Sequence, residues 1–373
     1  MIVGVPKEVK NAERRVGLTP ASVRELRAHG HRVVVESGAG EGIGAVDQAY
    51  EAAGAELVSS AAEVFASADL VVKVKEPQPQ EREMLRPGQV LFTYLHLAPD
   101  AAQTADLVRS GATCIAYETV GDAGGGLPLL APMSQVAGRL SVQAGAHCLE
   151  MGHGGAGLLL GGVPGVPAVR VVVVGGGVVG ENAIEMAIGQ QAHVTVLDRN
   201  VNVLNRLSQR FGSSLETVYS TATALEDLVV GADLVIGAVL VRGSRAPHLI
   251  TAEMVHEMES GSVLVDVAID QGGCAETSRP TTHAEPTYVV EGVVHYCVTN
   301  MPGVVPRTST YALNNVTLPF VLKLADEGVK NALLGDPYFL AGLNVCAGQV
   351  TEPHVAQALG YEVCPAANAL ALI

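Results

Sequence analysis

Short apolar runs alternate with amphipathic helical stretches from one end of the chain to the other, which predicts an open α/β fold. In the first half the runs place strands at residues 2–5, 31–36, 70–75, 89–94 and 113–117. A second set follows at 170–174, 193–197, 217–220, 233–240, 262–267 and 294–298. Between the sets, a helical pattern rich in small residues spans 134–151 and gives way to a glycine-rich stretch at 152–165. After Pro306 a further helix is predicted over 309–327. The tail beyond it is expected to pack back on the first set of strands.

The second set opens with the most specific signal. Four valines, 171–174, run into Gly175, Gly176 and Gly177, with Gly180 three residues on, and this fits G-x-G-x-x-G. Gly175 permits the tight turn, Gly177 lets a pyrophosphate approach the backbone, and Gly180 lets the following helix pack on the strand. The N-terminus of that helix, predicted from Glu181 to Ile188, offers unpaired N–H groups and a positive dipole end to phosphates. A second apolar run then ends at Asp198, placed where a carboxylate hydrogen-bonds a ribose 2′-hydroxyl. Strand, loop, helix and acid together predict NAD. Six strands from residue 170 match a full dinucleotide-binding sheet. The architecture expected is α/β, with two Rossmann-like doubly wound parallel-sheet domains joined by long helices. Residues 1–128 plus 307–373 form a discontinuous substrate and catalytic domain, and residues 129–306 form the NAD-binding domain.

Composition agrees. A chain of 373 residues exceeds what one core usually holds, and 48% hydrophobic residues with a mean hydropathy of +0.31 describe a well-buried globular protein. The formal charge of −15, without a basic run, argues against a nucleic-acid partner. Six scattered cysteines with no C-x-x-C pair read as reduced core residues, not a disulfide framework, and no metal site is predicted. The apolar stretch near 158–169 is broken by glycine and proline and is too short for a bilayer, and Met1 leads directly into a strand. A soluble, cytoplasmic protein without a membrane partner is expected.

In open α/β sheets ligands bind beyond the carboxyl ends of the strands. There the first half presents Lys75 and His96, with Arg14 and Arg15 in the loop after the first strand. The second half adds Asp270 at the end of an apolar run from Val263. Each has a plainer reading. Lys75 could be a solvated strand end, and His96 a capping or packing histidine. Arg15 could pair with Glu8 or Glu13 on the surface, and Asp270 could cap the turn Gln271-Gly272-Gly273. Convergence at strand ends favours chemistry on a small carboxylate substrate with an oxidisable carbon. Arg15 would grip the carboxylate through a guanidinium fork, and Lys75 would stabilise charge developing on oxygen. His96 would move protons near neutrality, and Asp270 would orient water or ammonia.

These segments resemble the bacterial NAD-dependent alanine dehydrogenases over nearly the whole length. The resemblance is carried by Gly4-Val5-Pro6-Lys7-Glu8 with Glu13-Arg14-Arg15-Val16-Gly17-Leu18-Thr19-Pro20, by Val74-Lys75-Glu76-Pro77, and by Tyr94-Leu95-His96-Leu97-Ala98. Pro132-Met133-Ser134, Ala137-Gly138-Arg139, the 267–273 segment Val-Ala-Ile-Asp-Gln-Gly-Gly and the 296–303 segment Tyr-Cys-Val-Thr-Asn-Met-Pro-Gly complete it. The N-terminal motif is shared with the proton-translocating transhydrogenase subunit.

The resemblance implies reversible conversion of L-alanine, water and NAD⁺ to pyruvate, ammonium and NADH. It implies substrate contacts at Arg15 and Lys75, with His96 and Asp270 catalytic. Cofactor contacts are implied at Ser134, Val178, Val179, Asp198, Ser220, Val239, Leu240, Val267, Ala268, Ile269, Asp270, Arg279, Val298, Thr299, Asn300 and Met301, beside Gly175, Gly177 and Gly180 of the loop. A homohexamer whose domains close on the substrate is implied as well. Two positions depart from the pattern: relatives often carry Lys where Val203 stands and His where Cys346 stands. An opine or lysine-pathway dehydrogenase, a transhydrogenase subunit and a catalytically silent NAD-binding regulator are the competing readings. Retention of Arg15, Lys75, His96 and Asp270 together weighs against the last.

Overall fold

The computed structural model describes residues 1–239 and 246–373. Its chain forms two compact units, Met1–Met133 with Val305–Ile373, and Ser134–Val304. The strands in chain order begin with β1 (Ile2–Val5), β2 (Arg32–Glu36), β3 (Glu56–Val58), β4 (Leu70–Val72), β5 (Val90–Thr93) and β6 (Thr113–Ala116). Then come β7 (Arg170–Val174), β8 (His193–Asp198), β9 (Leu215–Tyr219), β10 (Leu234–Gly237) and β11 (Val263–Asp266). The last are β12 (Thr287–Val290), β13 (Val293–Tyr296), β14 (Leu343–Cys346) and β15 (Gln349–Val350).

In the first unit the sheet order is β15-β14-β6-β5-β4-β1-β2-β3. Strands β1 to β6 are parallel, in the doubly wound order 3-2-1-4-5-6. The tail adds β14 and β15 antiparallel beside β6. In the second unit the order is β12-β13-β11-β10-β7-β8-β9. Its parallel part repeats 3-2-1-4-5-6, and β12 closes one edge antiparallel to β13. Each unit is therefore a Rossmann-like parallel sheet. Central strands buried on both faces explain the continuous valine and leucine runs: every residue of β4, β5, β10 and β11 is buried.

Several boundaries differ from expectation. The predicted strand 70–75 stops at Val72; past it the pairing with the neighbouring segment thins to the Lys73 N–H on the Phe92 carbonyl and the Tyr94 N–H on the Val74 carbonyl, each 3.2 Å. The run from Val263 stops at Asp266, whose buried carboxylate accepts from the Ala268 N–H at 3.0 Å and starts a 3₁₀ turn, Val267–Gln271. Of the expected strand 233–240, Leu234–Gly237 form β10, and Leu240 lies outside the described residues. The helices Ala131–Cys148 and Pro306–Glu327 begin three residues before the predicted 134–151 and 309–327, with a proline in each first turn. No described helix is long and apolar enough to cross a membrane.

His295 sits fully buried on β13, with Nδ1 3.0 Å from the Val293 carbonyl and Nε2 2.8 Å from the Thr277 hydroxyl. Burial holds its pKa below the ordinary 6.5, so the folded ring stays neutral while the unfolded ring takes a proton first. Its contribution to stability is complete above the unfolded-state value and is lost as pH falls through the folded-state value. The unfolding midpoint should therefore fall between about pH 7 and pH 5, and His295→Asn should flatten that fall. An equally steep acid limb in the variant would show that His295 does not carry the effect.

Candidate active site

The glycine loop lies between β7 and the helix Val178–Gly189. Gly175 has φ +101, a left-handed conformation that L side chains avoid, and a Cβ there would lie 2.8 Å from the Ala238 carbonyl. Around Gly177, which caps the helix, a Cβ would meet nothing within 4 Å, so the backbone is approachable there. At Gly180 a Cβ would stand 1.8 Å from the Gly175 carbonyl oxygen, so strand and helix touch through bare backbone. The surface before the helix is thus open to a pyrophosphate, and the residues present fit a dinucleotide.

Asp198 closes β8 beside this loop. Its Oδ2 accepts from the Gly176 N–H at 2.8 Å and its Oδ1 from the Asn200 N–H at 2.7 Å. Glu181, in the first turn of the helix, is paired with both Arg206 and Arg210. Burial pushes the Glu181 carboxyl up, but the two guanidinium groups win and its pKa falls.

Of the other cofactor candidates of this unit, Val178, Val179, Ser220, Val239, Val267 and Val298 lie just past the carboxyl ends of its parallel strands. Val178 is exposed, and Val179, Ser220, Val239 and Val267 are half-buried, with the Ser220 N–H donating to the Asp198 carbonyl at 3.1 Å. Leu240 lies outside the described residues. Ala268, Ile269, Val298 and Met301 are buried, so they can offer backbone and apolar walls rather than exposed side chains. Ser134 is half-buried on the helix Ala131–Cys148, and Thr299 is also half-buried. The Arg279 guanidinium stacks 4.2 Å from the centroid of the Tyr288 ring.

Asp270 departs from the position read in the sequence. It is exposed on the 3₁₀ turn four residues past the end of β11, and its carboxylate accepts from the Asn300 N–H at 3.2 and 3.4 Å. The turn is instead capped by Asp266. Asn300 has φ +55 and its carbonyl faces His283 Nε2 at 3.3 Å.

In the first unit the predicted cations sit around a buried charge cluster that the sequence did not reveal. Arg15 is only 2% exposed. Its Nε and Nη2 donate to the Glu13 carboxylate at 2.7 and 2.5 Å, and Nη1 meets the Met133 sulfur at 3.0 Å. The suggested surface pairing is thus a buried one, and Glu13 already holds one fork of the guanidinium. Lys73, 1% exposed, donates to Glu8 at 3.1 Å and to Glu81 at 2.7 Å. Burial opposes the Lys73 ammonium, yet the two carboxylates prevail and raise its pKa. At Glu8 burial dominates and raises the carboxyl despite Lys73.

The other oxygen of Glu8 accepts from the backbone N–H of Val74 at 2.7 Å and of Lys75 at 3.3 Å, while Thr93 donates to the Lys75 carbonyl at 2.9 Å. Lys75 is half-buried, and its backbone is clasped from both sides. The buried set holds three carboxylates (Glu8, Glu13, Glu81) against two cations (Arg15, Lys73). A further cation such as Lys75 is electrostatically favoured at its edge.

His96 lies three residues past β5 at φ +51. Its N–H donates to Glu118 at 2.5 Å, the Leu95 N–H reaches the same carboxylate at 3.2 Å, and the ring stands 3.7 Å from it through Nδ1. The side chain remains 46% exposed and stacks parallel to Tyr94, centroids 5.8 Å apart. Tyr94 in turn donates to the Leu129 carbonyl at 2.6 Å. Glu8, Tyr94 and Glu118 link the surroundings of Arg15, Lys75 and His96 within one unit, and Asp270 belongs to the other.

Comparison with known proteins converges on one family. Residues 4–137 match the N-terminal domain and residues 141–353 the C-terminal domain of alanine dehydrogenase/PNT. The chain belongs to the alanine dehydrogenase/PNT family. The alanine dehydrogenase of Halomonas elongata is 60% identical over 99% of both chains, and that of Bacillus subtilis 53% identical over 99% of this chain and 98% of its own. A solved L-alanine dehydrogenase superposes with a TM-score of 0.94 at 54% identity, covering 96% of this chain and 99% of its own. A Sinorhizobium meliloti transhydrogenase, 26% identical, gives 0.80 over 95% and 99%. Both branches of the alanine dehydrogenase/PNT family thus share this fold, and the dehydrogenase branch is nearer in sequence.

Removing Lys73 would strand Glu8 and Glu81 in the interior. Lys73→Met should cost about 3–5 kcal/mol in denaturant unfolding, as breaking one side of a buried pair does. A loss within the range of an ordinary surface substitution would mean that the cluster does not need its central cation.

Proposed function

We propose that this chain catalyses the reversible oxidative deamination of L-alanine to pyruvate and ammonium with NAD. The observation that carries the reading is whole-length identity of 49–60% to curated alanine dehydrogenases, including the one from H. elongata. The open glycine loop and Asp198 suit NAD, which supplies the hydride acceptor when bound. The carboxylate of Asp198 would accept from the ribose hydroxyls and repel a 2′-phosphate.

The remaining work is assigned to the chain's own side chains. Arg15 would bind the substrate carboxylate through Nη1, the edge turned away from Glu13. A carboxylate oxygen would replace the Met133 sulfur there, a far weaker acceptor. Lys75, its backbone fixed by Glu8 and Thr93, would hold the oxygen that gains charge. His96, with an exposed ring beside Glu118, would accept and return the proton of the attacking water. Asp270 would orient water or ammonia and offset the charge of the imine. The family resemblance supports a homohexamer and a cytoplasmic location.

Full-length protein mixed with L-alanine and NAD⁺ should generate the absorbance of reduced nicotinamide. Silence with alanine but turnover with a larger amino acid would overturn the substrate assignment. His96→Ala and Asp270→Ala should each lower kcat by about 10²–10⁴-fold while NADH binding, followed by its fluorescence, persists. Normal turnover in either variant removes that residue from the mechanism.

Asp198→Asn should weaken NAD⁺ and narrow its advantage over NADP⁺ in paired kcat/KM measurements. An unchanged preference would refute the ribose assignment.

A further inference from the structure

Where the helix Ala131–Cys148 ends, the chain makes a compact turn that gathers three side chains outside the site described above. The Glu150 N–H donates to the His147 carbonyl at 3.2 Å and the His153 N–H to the Glu150 carbonyl at 3.0 Å, forming the 3₁₀ turn Met151–His153. Gly154 follows at φ +88 and lets the Gly155 N–H return to the Glu150 carbonyl at 3.1 Å. This backbone sets His147, Glu150 and His153 at i, i+3 and i+6. One ligand atom from each lies within 4.8 Å of the other two.

We propose that His147, Glu150 and His153 form a binding site for a divalent transition-metal ion of the zinc, nickel or copper class. Two imidazoles and one carboxylate suit these ions, while calcium and magnesium prefer oxygen alone. The imidazole rings stand 3.7 Å apart between centroids at 43°. His147 Nδ1 and His153 Nε2 lie 3.7 and 3.9 Å from the two oxygens of Glu150.

As plain ion pairs these contacts would be worth little at an exposed position, and they would press two imidazolium rings together. A shared cation reverses that repulsion, since both nitrogens then present lone pairs to one positive centre. Bond lengths of about 2.0–2.1 Å put tetrahedral ligands roughly 3.3 Å apart, so atoms within 4.8 Å of one another need to close by at most about 1.5 Å. Side chains 43–62% exposed can make that adjustment.

Cys148 is not the fourth ligand. It is 2% exposed, and its sulfur is not among the ligand atoms gathered there. Three protein ligands therefore leave one position to water, the pattern of an open site. An ion there would tie the last turn of the helix to the start of the glycine-rich stretch.

The test titrates metal-stripped full-length protein with ZnCl₂ in a calorimeter and with CoCl₂ followed by visible d–d absorption. The parent should take up one Zn²⁺ per chain with Kd on the order of micromolar or tighter. Binding should weaken at least about tenfold in His147→Ala, His153→Ala and Glu150→Gln, and the cobalt band should be lost. L-alanine turnover and the metal-free unfolding midpoint should match the parent. If an alanine variant fails to fold, His147→Gln and His153→Gln carry the same comparison. Zinc uptake equal in parent and variants, or absent from the parent, overturns the site.

Discussion

The first unit depends on a requirement that charges removed from water be paired. Arg15, Lys73, Glu8, Glu13 and Glu81 are all within a few per cent of complete burial, and none could remain ionised there alone. Pairing solves that problem and fixes geometry. Glu8 neutralises Lys73 with one oxygen and holds the backbone of Val74 and Lys75 with the other. Glu81 takes the second side of Lys73 and also accepts from the Gln78 N–H at 2.8 Å. Residues 8, 73–75 and 78–81 are thereby one rigid assembly, and the loop after β4 is positioned by side chains of three segments.

The second unit uses carboxylates in another way, as acceptors for backbone N–H groups at strand ends. Asp198 closes the glycine loop onto β8. Asp266, fully buried, accepts from the Ala268 and Cys274 amides and the Ser278 hydroxyl. Asp270 holds the Asn300 amide. These loops carry donors that no sheet satisfies, and a carboxylate binds such donors more strongly than a neutral acceptor does. The cost is that the carboxylate most suited to a ribose is already engaged with Gly176. In the proposed NAD complex the ribose would share Asp198 with the loop, and the loop's position and coenzyme affinity would be coupled through one side chain.

How much could be read in the sequence follows from the same physics. Strands β4, β5, β7, β10 and β11 announce themselves because burial on both faces demands near-continuous apolar runs. Strands β3, β12, β14 and β15 went unread: they are two to four residues long and mix Glu, Thr, Asn and Gln with apolar residues. Strands β3, β12 and β15 are edge strands, which need only one buried side and leave little pattern, while β14 is interior and fully buried but only four residues long. In the sequence Lys73, Val74 and Lys75 alternate, and nothing in that alternation separates the two lysines. The strand ends at Val72, so the equivalence is broken, and the buried lysine is the one the pattern made unremarkable. Its partners Glu8 and Glu81 lie 65 and 8 residues away, a pairing that no local spacing encodes. The glycine loop was legible because its constraints are local and steric: Gly175 and Gly180 touch each other within six residues.

Backbone conformation adds a last constraint on the loops proposed to do chemistry. His96 and Asn300 both hold positive φ without being glycine. Such conformations cost energy for most residues, although His and Asn tolerate them better, and they persist where surrounding contacts over-determine them. Glu118 supplies that force at His96 by taking two successive N–H groups, and Asp270 supplies it at Asn300. In each case a carboxylate holds a left-handed turn, and the turn sets the direction of a side chain that a regular strand end would have aimed elsewhere. At His96 the result is an imidazole stacked on Tyr94 with almost half its surface exposed. Glu118 holds the backbone here and also stands 3.7 Å from ring Nδ1, so one carboxylate both fixes the turn and faces the imidazole. In the proposed mechanism that pairing would keep the ring oriented while its exposed surface meets the water.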